Sequence, residues 1–600
     1  MRFPGIKLFA LSAVAAALVA CGGSSSVTPT PVTVLSGEVV DGYIEGATVC
    51  YDVNGDGRCN TGEPSALTTA DGKFSLSVAG FAGDKFIVVD IPSTAKDSDD
   101  GGLTLAQAGK SAYVMATPAS EYGLVSPLTT LLVGKMKSEG VNLAEARTRV
   151  LDELGLPATT NLHADHVEAG DVQVHAAARQ VAVRLQQARA SLGSGTNSTD
   201  LLASMSSKLK DQDDSLGTLL TNDPADLVNI PTTLGSVANG KLLLYRMISA
   251  KGTPILASAM LFTPKAAAPS GGRPLVVFGV GTTGIARQCG PSSIMQAGGG
   301  FDYELIVAGM VANGFTVVVP DYEGRGPAGV VPNAHPYLHV GSAGNSMVLA
   351  AVAAKRFLGS ELSGAWAAWG HSQGGHAALA AGQFASLGER VLPALDYRGA
   401  VAIAPASHFV ESVQGLIGLS NAAVANNNSS EAFSLLGTLG FYASYIVKGS
   451  SFTANPIDPS RALGAQMIAP HGFSGTECLD SYFQRVDNAV ATFAMGGGQP
   501  QAFQAVNAVG IASADVTAAL RSLEPGRVKV PGKTLLVQGS ADTTVLPDTT
   551  LALRQFMLSK ESDVTLTLVT SPAATHTGIL GTTEANSAIN LHLATLFSPQ

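Results

Sequence analysis

The sequence predicts an α/β protein: a mostly parallel eight-stranded sheet with a helical cap inserted late in it, preceded by a small β-sandwich and a helical segment. Three observations predict it. Beyond residue 228, eight short apolar runs alternate with helix-period stretches as far as the C-terminus. In residues 34–100, apolar and polar residues alternate in short segments between turn residues. In residues 101–227, apolar residues recur at helical spacing instead. A chain of 600 residues has room for roughly two to four domains, so three kinds of pattern in succession are in keeping with its length.

Charged residues are 14% of the chain, against roughly 25% in an average soluble domain, and 46% are hydrophobic, much of that alanine. Such a composition describes a stable exported globular protein rather than a disordered one. The net charge of −10 comes from scattered acids, and no basic stripe interrupts them. Nucleic acid is therefore excluded as a partner.

The elements follow in order. MRFPGIKLFALSAVAAALVAC (residues 1–21) places Arg2 and Lys7 ahead of an apolar run too short to span a bilayer, which is the pattern of an export signal. Its end, Leu18-Val19-Ala20-Cys21, resembles the lipobox of bacterial lipoproteins, in which the cysteine is acylated and becomes the new N-terminus. Residues 22–33 (GGSSSVTPTP and its continuation) read as a flexible tether. The expectation is an exported protein lipid-anchored at Cys21 to the bacterial cell envelope, at the outer membrane or cell surface. In that oxidising setting the four remaining cysteines suggest two disulfides. Pairing Cys50 with Cys59 and Cys289 with Cys478 is the simplest arrangement and keeps each bridge inside one proposed domain.

VLSGEVV, GATVCYD, GKFSLSVAG and DKFIVVDI supply the sandwich strands of residues 34–100. SPLTTLLVGKMKSEG, NLAEARTRVLDELG and DVQVHAAARQVAVRLQQARASLG supply helices in residues 101–227, with Asn142 and Asn161 as candidate caps and glycines closing the helices. In residues 228–600 the candidate strands are KLLLYRMIS, ILASAMLF, PLVVFGV, FTVVVPD, AWAAWG, GAVAIAPA, KTLLVQG and DVTLTLVT. Residues 408–529, between the sixth and seventh of these, are long, mostly helical and apolar. An insertion there sits where a cap belongs, because ligands of open α/β sheets bind beyond the carboxyl ends of the strands.

Gly370-His371-Ser372-Gln373-Gly374 fits G-x-S-x-G. The pentapeptide alone is weak: glycine is 67 of 600 residues, so chance supplies on the order of one such match in a chain this long. Its context is specific, since AWAAW precedes and GGHAALAAGQFAS follows, a strand before and a helix after. A serine hydroxyl needs a base within hydrogen-bond reach and a carboxylate to orient that base. His576, just after the last strand, is the candidate base. His592 reads as a packed helix residue, His376 lies on the helix leaving the turn, and His408 and His471 are the other downstream histidines. Asp542, after KTLLVQG, is the candidate acid, with Asp548 and Asp563 as rivals not directly at a strand's carboxyl end. Two backbone donors must hold an oxyanion. Gln373 supplies one, and the loop Gly279 to Gly284 (GVGTTG) the other, through Thr282 with Thr283 as rival. That loop lacks both the G-x-G-x-x-G spacing and the lysine of a phosphate-binding loop.

Residues 228–600 resemble the secreted lipase-A-like family of α/β-hydrolases, whose bacterial members carry HGTTG, CAPS, DYxGLG, HPYL and GHSQGGHAAL motifs. The matching pieces are GTTG at Gly281 to Gly284, CGPSS from Cys289, DYEGRG at Asp321 to Gly326, HPYL at His335 to Leu338 and GHSQGGHAAL from Gly370. Val280 departs from the family's histidine, and Arg325 from its apolar residue. The resemblance implies an α/β-hydrolase fold, a helical cap, and a bridge between cysteines matching Cys289 and Cys478. Asp321 and His335 read as structural residues at the substrate edge, given a complete triad elsewhere.

Asp52-Val53-Asn54-Gly55-Asp56-Gly57-Arg58-Cys59-Asn60-Thr61-Gly62-Glu63 fits D-x-N-x-D-G-x5-E. Side-chain oxygens of Asp52, Asn54, Asp56, Asn60 and Glu63, with the backbone of Arg58, form a candidate structural calcium set. The flanks read as strands rather than the helices of an EF-hand, so a metal-free, Asx-rich turn fixed by a Cys50 to Cys59 bridge is the alternative. His163, His166 and His175 lack an accompanying carboxylate set and read as structural.

The resulting expectation is a serine hydrolase of hydrophobic carboxylic esters, a lipase or carboxylesterase, needing no cofactor for catalysis. Ser372 is the nucleophile, His576 the base, Asp542 its orienting acid, and Gln373 with Thr282 the oxyanion donors. Its partners are a small-molecule or lipid ester and, through Cys21, a membrane. The alternatives are a serine peptidase or amidase of the same fold and a non-catalytic surface-binding lipoprotein.

Overall fold

The computed structural model describes residues 31–598 except 155, 194–199, 334 and 454. The signal segment, Cys21 and residues 22–30 of the tether lie outside the described residues. Among the described residues no helix is long and apolar enough to cross a membrane.

The N-terminal strands form two main sheets. Val32–Val39 pairs antiparallel with Lys73–Ala79 and parallel with Leu124–Val125. Ser65–Leu67, Thr48–Asp52, Phe86–Ile91 and Tyr113–Pro118 form a four-stranded antiparallel sheet in that order. Lys73–Ala79 (KFSLSVA) buries every second residue, as expected of a strand with one face on the core. Two expected boundaries change. The first strand starts inside the tether at Val32, which pairs with Ala79. The sheets also continue past residue 100, because Tyr113–Pro118 and Leu124–Val125 belong to them. All six residues of Tyr113–Pro118 (YVMATP) are buried, so this strand carries no period-two signal.

The helices that follow share the sandwich core. Leu35, Val49 and Val88 of the strands lie in one apolar cluster with Leu128 and Leu132 of helix Pro127–Glu139, Leu185 of Val172–Ser191 and Met205 of Leu201–Asp214. Asn142 caps Leu143–Leu154, its side chain accepting from the Glu145 N–H at 3.0 Å. Asn161 instead closes a short turn on the His163 N–H. Asp171 caps Val172–Ser191, accepting from Val174 at 3.1 Å.

All eight strands expected beyond residue 228 form one sheet: β1 (Ala238–Ile248), β2 (Pro254–Pro264), β3 (Arg273–Gly279), β4 (Thr316–Pro320), β5 (Leu362–His371), β6 (Asp396–Ile403), β7 (Lys533–Gly539) and β8 (Asp563–Val569). Their spatial order is β1-β2-β4-β3-β5-β6-β7-β8. Only β2 runs against its neighbours; from β4 to β8 the sheet is parallel. A parallel sheet is covered on both faces, so its central strands read as unbroken apolar runs; TVVVP of β4 is wholly buried. Helix Val340–Leu358 packs on β1, β3 and β4, and Gln373–Gln383 on β3, β5 and β6.

Residues 408–529 form a helical cap with its own apolar core. Phe409–Ala425, Ser429–Ser450, Leu479–Met495 and Ala514–Ser522 are its main helices, and Phe441, Tyr445, Tyr482 and Met467 are fully buried in its centre. The Cys289–Cys478 disulfide, with a Cα–Cα distance of 5.4 Å, ties the segment after β3 to the cap. Cys50 and Cys59 form the second disulfide.

Candidate active site

Ser372 sits at the carboxyl end of β5, one residue before helix Gln373–Gln383, with φ 59° and ψ −118°. A non-glycine residue there stores about 1–3 kcal/mol of backbone strain and persists only where its surroundings hold it. The surroundings do so: the Ser372 N–H donates to the Ile403 carbonyl of β6 at 2.9 Å. The flanking glycines permit the close approach this turn requires. A Cβ on Gly370 would lie 2.1 Å from the Gly374 carbonyl oxygen, and one on Gly374 would lie 1.9 Å from that of Gly279 in β3. The motif's glycines are thus where backbone meets backbone.

Asp542 and His576 come from the loops after β7 and β8, and His576 Nδ1 lies 2.8 Å from Asp542 Oδ2. The carboxylate is fixed before the imidazole reaches it. Asp542 Oδ1 accepts from the N–H groups of Thr544 and Val545 at 2.8 and 2.9 Å, and Oδ2 also accepts from Gln538 at 3.3 Å. With only acceptor oxygens facing it, Nδ1 carries the proton and leaves Nε2 as the basic nitrogen. The rivals are placed elsewhere. Asp548 is exposed in the first turn of helix Pro547–Ser559, and Asp563 opens β8 opposite Lys533, at the far end of the strand. His376 is buried with Nε2 donating to the Leu523 carbonyl, burial pushing it down to about 4. His592 contacts the Lys533 carbonyl. His408 precedes the first cap helix, and His471 ends the short helix Ile468–His471.

Gln373 is the first residue of its helix, so its N–H has no intrahelical acceptor. In the loop after β3, the Thr282 hydroxyl shares a 2.6 Å hydrogen bond with the Tyr337 hydroxyl. The Thr283 hydroxyl donates to the Cys289 carbonyl and accepts from Arg325 Nη1, both at 2.7 Å. Thr283 is therefore committed to the disulfide side of the loop, whereas Thr282 adjoins Tyr337, which lines one cavity with Ser372. That cavity, of about 90 Å³, is walled by Leu338, Phe409, Leu416, Leu439, Ile446 and Leu520, mostly from the cap. A second cavity of about 140 Å³ lies where the N-terminal helices meet the cap and sheet domain. Ion-paired Glu153, Arg184 and Asp213 line it.

Val280 and Arg325, which differ from the quoted motifs, are both buried. Val280 is buried, and its carbonyl accepts from Tyr322 at 3.0 Å. Arg325 is wholly buried and braces the loop, Nη1 donating to Thr283 Oγ1 and to the Gly284 carbonyl at 2.9 Å. Asp321 accepts from the hydroxyls of Ser258 and Ser292 and from the Ser292 N–H. His335 Nδ1 donates to the Glu323 carbonyl, and its Nε2 accepts from Gln373 Nε2 at 2.9 Å. Both are buried among these bonds, and His335 also holds the Gln373 side chain.

The residues that sequence reasoning passed over are His371 and Tyr303. Tyr303 Oη lies 3.0 Å from His371 Nδ1, and His371 Nε2 lies 2.8 Å from the His576 carbonyl. His371 lies in the GHSQGGHAAL piece but at the unrestricted second position of G-x-S-x-G, and Tyr303 belongs to no motif, so residue type does not disclose the partners of either.

In the N-terminal domain, the loop Asp52 to Glu63 closes on itself. Asp52 accepts from the N–H groups of Gly55 and Gly57 at 2.7 and 2.9 Å, Asp56 from that of Arg58 at 2.9 Å, and Glu63 from those of Val53 and Asn60 at 2.9 Å. Asn54 accepts from the Asp56 N–H at 3.0 Å, and the Asn60 amide donates to Asp56. His166 and His175 face each other with Nδ1 atoms 3.2 Å apart, while His163 pairs with Glu121. Among the described residues no three His, Cys, Asp or Glu side chains form a metal-binding group.

No protein-family model matches the chain. No curated protein matches it either. Among solved structures it is similar to the rice cell wall degrading esterase LipA of Xanthomonas oryzae, at 20% identity over 62% of this chain and 97% of that one, with a TM-score of 0.47. It is also similar to a putative hydrolase of Legionella pneumophila (15% identity, 61% and 94% covered, TM-score 0.46). Candida antarctica lipase A is a third such structure (15%, 60% and 77%, TM-score 0.44).

Proposed function

We propose that residues 228–600 are an α/β-hydrolase and that the protein is a serine ester hydrolase, a lipase or carboxylesterase. One observation carries this reading: a strained serine at the carboxyl end of a central parallel strand opens on an apolar cavity, in a fold that also pairs Asp542 with His576 beyond the next strands. Ser372 Oγ attacks the ester carbonyl while His576 Nε2 takes its proton, and Asp542 holds the imidazole and stabilises its charged form. The N–H groups of Gln373 and Thr282 receive the oxyanion. His576 then returns the proton to the departing alcohol, and water resolves the acyl-enzyme by the same steps in reverse. The apolar cap wall supports a hydrophobic acyl group.

The test is a panel of chromogenic esters and anilides of graded acyl length, run on wild type and Ser372→Ala. Ester turnover that depends on Ser372 and exceeds anilide turnover supports the reading. Anilide cleavage exceeding ester cleavage would make the protein a peptidase or amidase. Turnover by neither would favour a surface-binding lipoprotein, and ester turnover unchanged in Ser372→Ala would sink the mechanism.

Two further parts of the proposal rest on sequence alone. Acylation of Cys21 would anchor the protein to the cell envelope, and metabolic labelling with a palmitate analogue, lost in Cys21→Ser, tests it. Structural calcium at Asp52, Asn54, Asp56, the Arg58 carbonyl, Asn60 and Glu63 is supported by the ligand spacing, and a rise in thermal midpoint on adding calcium tests it.

A further inference from the structure

His371 is buried between two parts of the site that come from distant segments of the chain. Its ring has one contact on each nitrogen, and the partners fix the direction of every proton. On one side Nε2 faces the His576 carbonyl oxygen at 2.8 Å. A carbonyl only accepts, so Nε2 bears the hydrogen. Burial pushes the His371 ring down to about 3, with His576 as the next cause, so the ring is neutral at working pH and Nδ1 is an acceptor. Tyr303 Oη, at 3.0 Å, must then donate to Nδ1. The Tyr303 oxygen in turn accepts the Gly281 N–H at 3.0 Å. A single directed chain results: Gly281 N–H to Tyr303, Tyr303 O–H to His371, His371 Nε2–H to the His576 carbonyl.

The two ends of this chain matter more than its middle. Gly281 immediately precedes Thr282 in the loop after β3, and His576 carries the basic nitrogen. Both belong to loops, which ordinary packing holds less firmly than a strand. His371 is the last residue of β5 and is therefore a rigid point between them. Tyr303 is fixed as well, its ring packed on Phe278 with centroids 5.1 Å apart. Its hydroxyl reaches the loop only because position 281 is glycine: a Cβ there would lie 2.4 Å from Tyr303 Oη. The His371 and His576 rings also lie against each other, centroids 4.7 Å apart. A neutral neighbour there adds no repulsion when His576 takes up a proton.

We propose that His371 is a positioning residue that, with Tyr303, locks the loop of the oxyanion donor Thr282 to the backbone of the base His576, setting the two in register around Ser372. This rests on the proposed serine ester hydrolase reading. A misplacement of catalytic groups by about 1 Å can cost on the order of a hundredfold in rate, which is the scale of effect such a lock controls.

Three variants of the full chain test it, assayed for kcat and KM on the best chromogenic ester. His371→Leu removes both hydrogen bonds, Tyr303→Phe removes one oxygen and keeps the ring, and His371→Gln keeps an N–H for the His576 carbonyl. The lock predicts that His371→Leu and Tyr303→Phe lower kcat by roughly tenfold to a hundredfold with KM little changed. His371→Gln should recover most of the loss. The double variant His371→Leu/Tyr303→Phe should fall no further than the worse single variant, because both changes break one chain. Wild-type kcat in Tyr303→Phe, or effects that multiply in the double variant, would overturn the proposal. Tyr303→Phe deletes one oxygen atom, so it stays informative if His371→Leu fails to fold. Failure of the underlying reading looks different: wild type would then turn over no ester, or Ser372→Ala would keep the turnover, whatever the other variants do.

Discussion

Two short motifs, the turn at Ser372 and the loop from Asp52 to Glu63, are built in opposite ways. The loop is closed mostly within twelve residues: its carboxylates accept the N–H groups of its own backbone and a disulfide between Cys50 and Cys59 pins it, with Lys137 and the Leu201 N–H donating to two of its carbonyls from outside. The turn is incomplete by itself. Its glycines make room for β3 and its serine is held by β6, while the proposed acid and base come from residues 542 and 576. As sequence, the loop is the more specific match and the pentapeptide close to chance. As structure, the turn is held by distant strands and the loop mainly by its own backbone. What separates them is long-range convergence, which on the proposed reading makes a reactive site out of residues that are individually ordinary.

The comparison breaks or sharpens at several points. The largest effects belong to the turn and its partners. Ser372→Ala should cost about 10⁴ or more in kcat, and Asp542→Asn about 10⁴, because an amide cannot hold His576 in the required tautomer. Steady-state ester hydrolysis checks both, with an unchanged thermal midpoint showing that the fold survives. Gly374→Ala should come next, losing on the order of a hundredfold or failing to fold, since its Cβ must displace the Gly279 carbonyl.

The loop should behave in the opposite manner. Asp52→Asn leaves one buried N–H without its acceptor and should cost about 1–3 kcal/mol of stability, read by denaturant unfolding, while ester turnover stays at the wild-type level. Turnover falling in step with stability would mean that the two motifs are coupled and the contrast is false. The last effect concerns pH and leaves turnover untouched. Asp41 is buried beside Tyr113, and burial first, with Asp97 next, raises its carboxyl to about 8. A raised folded-state value means that the folded protein binds the proton more tightly than the unfolded chain. The contribution is therefore full below the ordinary carboxylate range near 3.8 and is lost as pH rises toward 8. Asp41→Asn should flatten that decline in the unfolding free energy between those limits, again without changing ester turnover at constant pH.

Much of this was legible in the sequence, for identifiable reasons. The eight strands of the large sheet were readable because a covered parallel strand must be apolar along its length and must end at Gly, Pro or Asp; TVVVP and KTLLVQG are such runs. The pairing of Asp542 with His576 was readable because each stands in a loop just beyond the carboxyl end of a neighbouring strand, β7 and β8. Tyr113–Pro118 was missed because full burial erases the alternation that marks a strand, and the boundary near residue 100 was misplaced with it. Asn161 was read as a helix cap because a turn and a cap use the same side-chain acceptor, and only Asp171 stands at the helix start. His371 stands in a quoted motif, but its contacts and those of Tyr303 were not readable: they depend on which nitrogen faces which oxygen, and residue type alone does not encode that.

The central claim is that Ser372 forms an acyl-enzyme, and pre-steady-state hydrolysis of a chromogenic ester followed by mass spectrometry of the quenched protein tests it most directly. The account predicts a burst approaching one equivalent of released chromophore, an acyl adduct on the peptide containing Ser372, and loss of both in Ser372→Ala. A full burst in Ser372→Ala, or an adduct on any other residue, would contradict it.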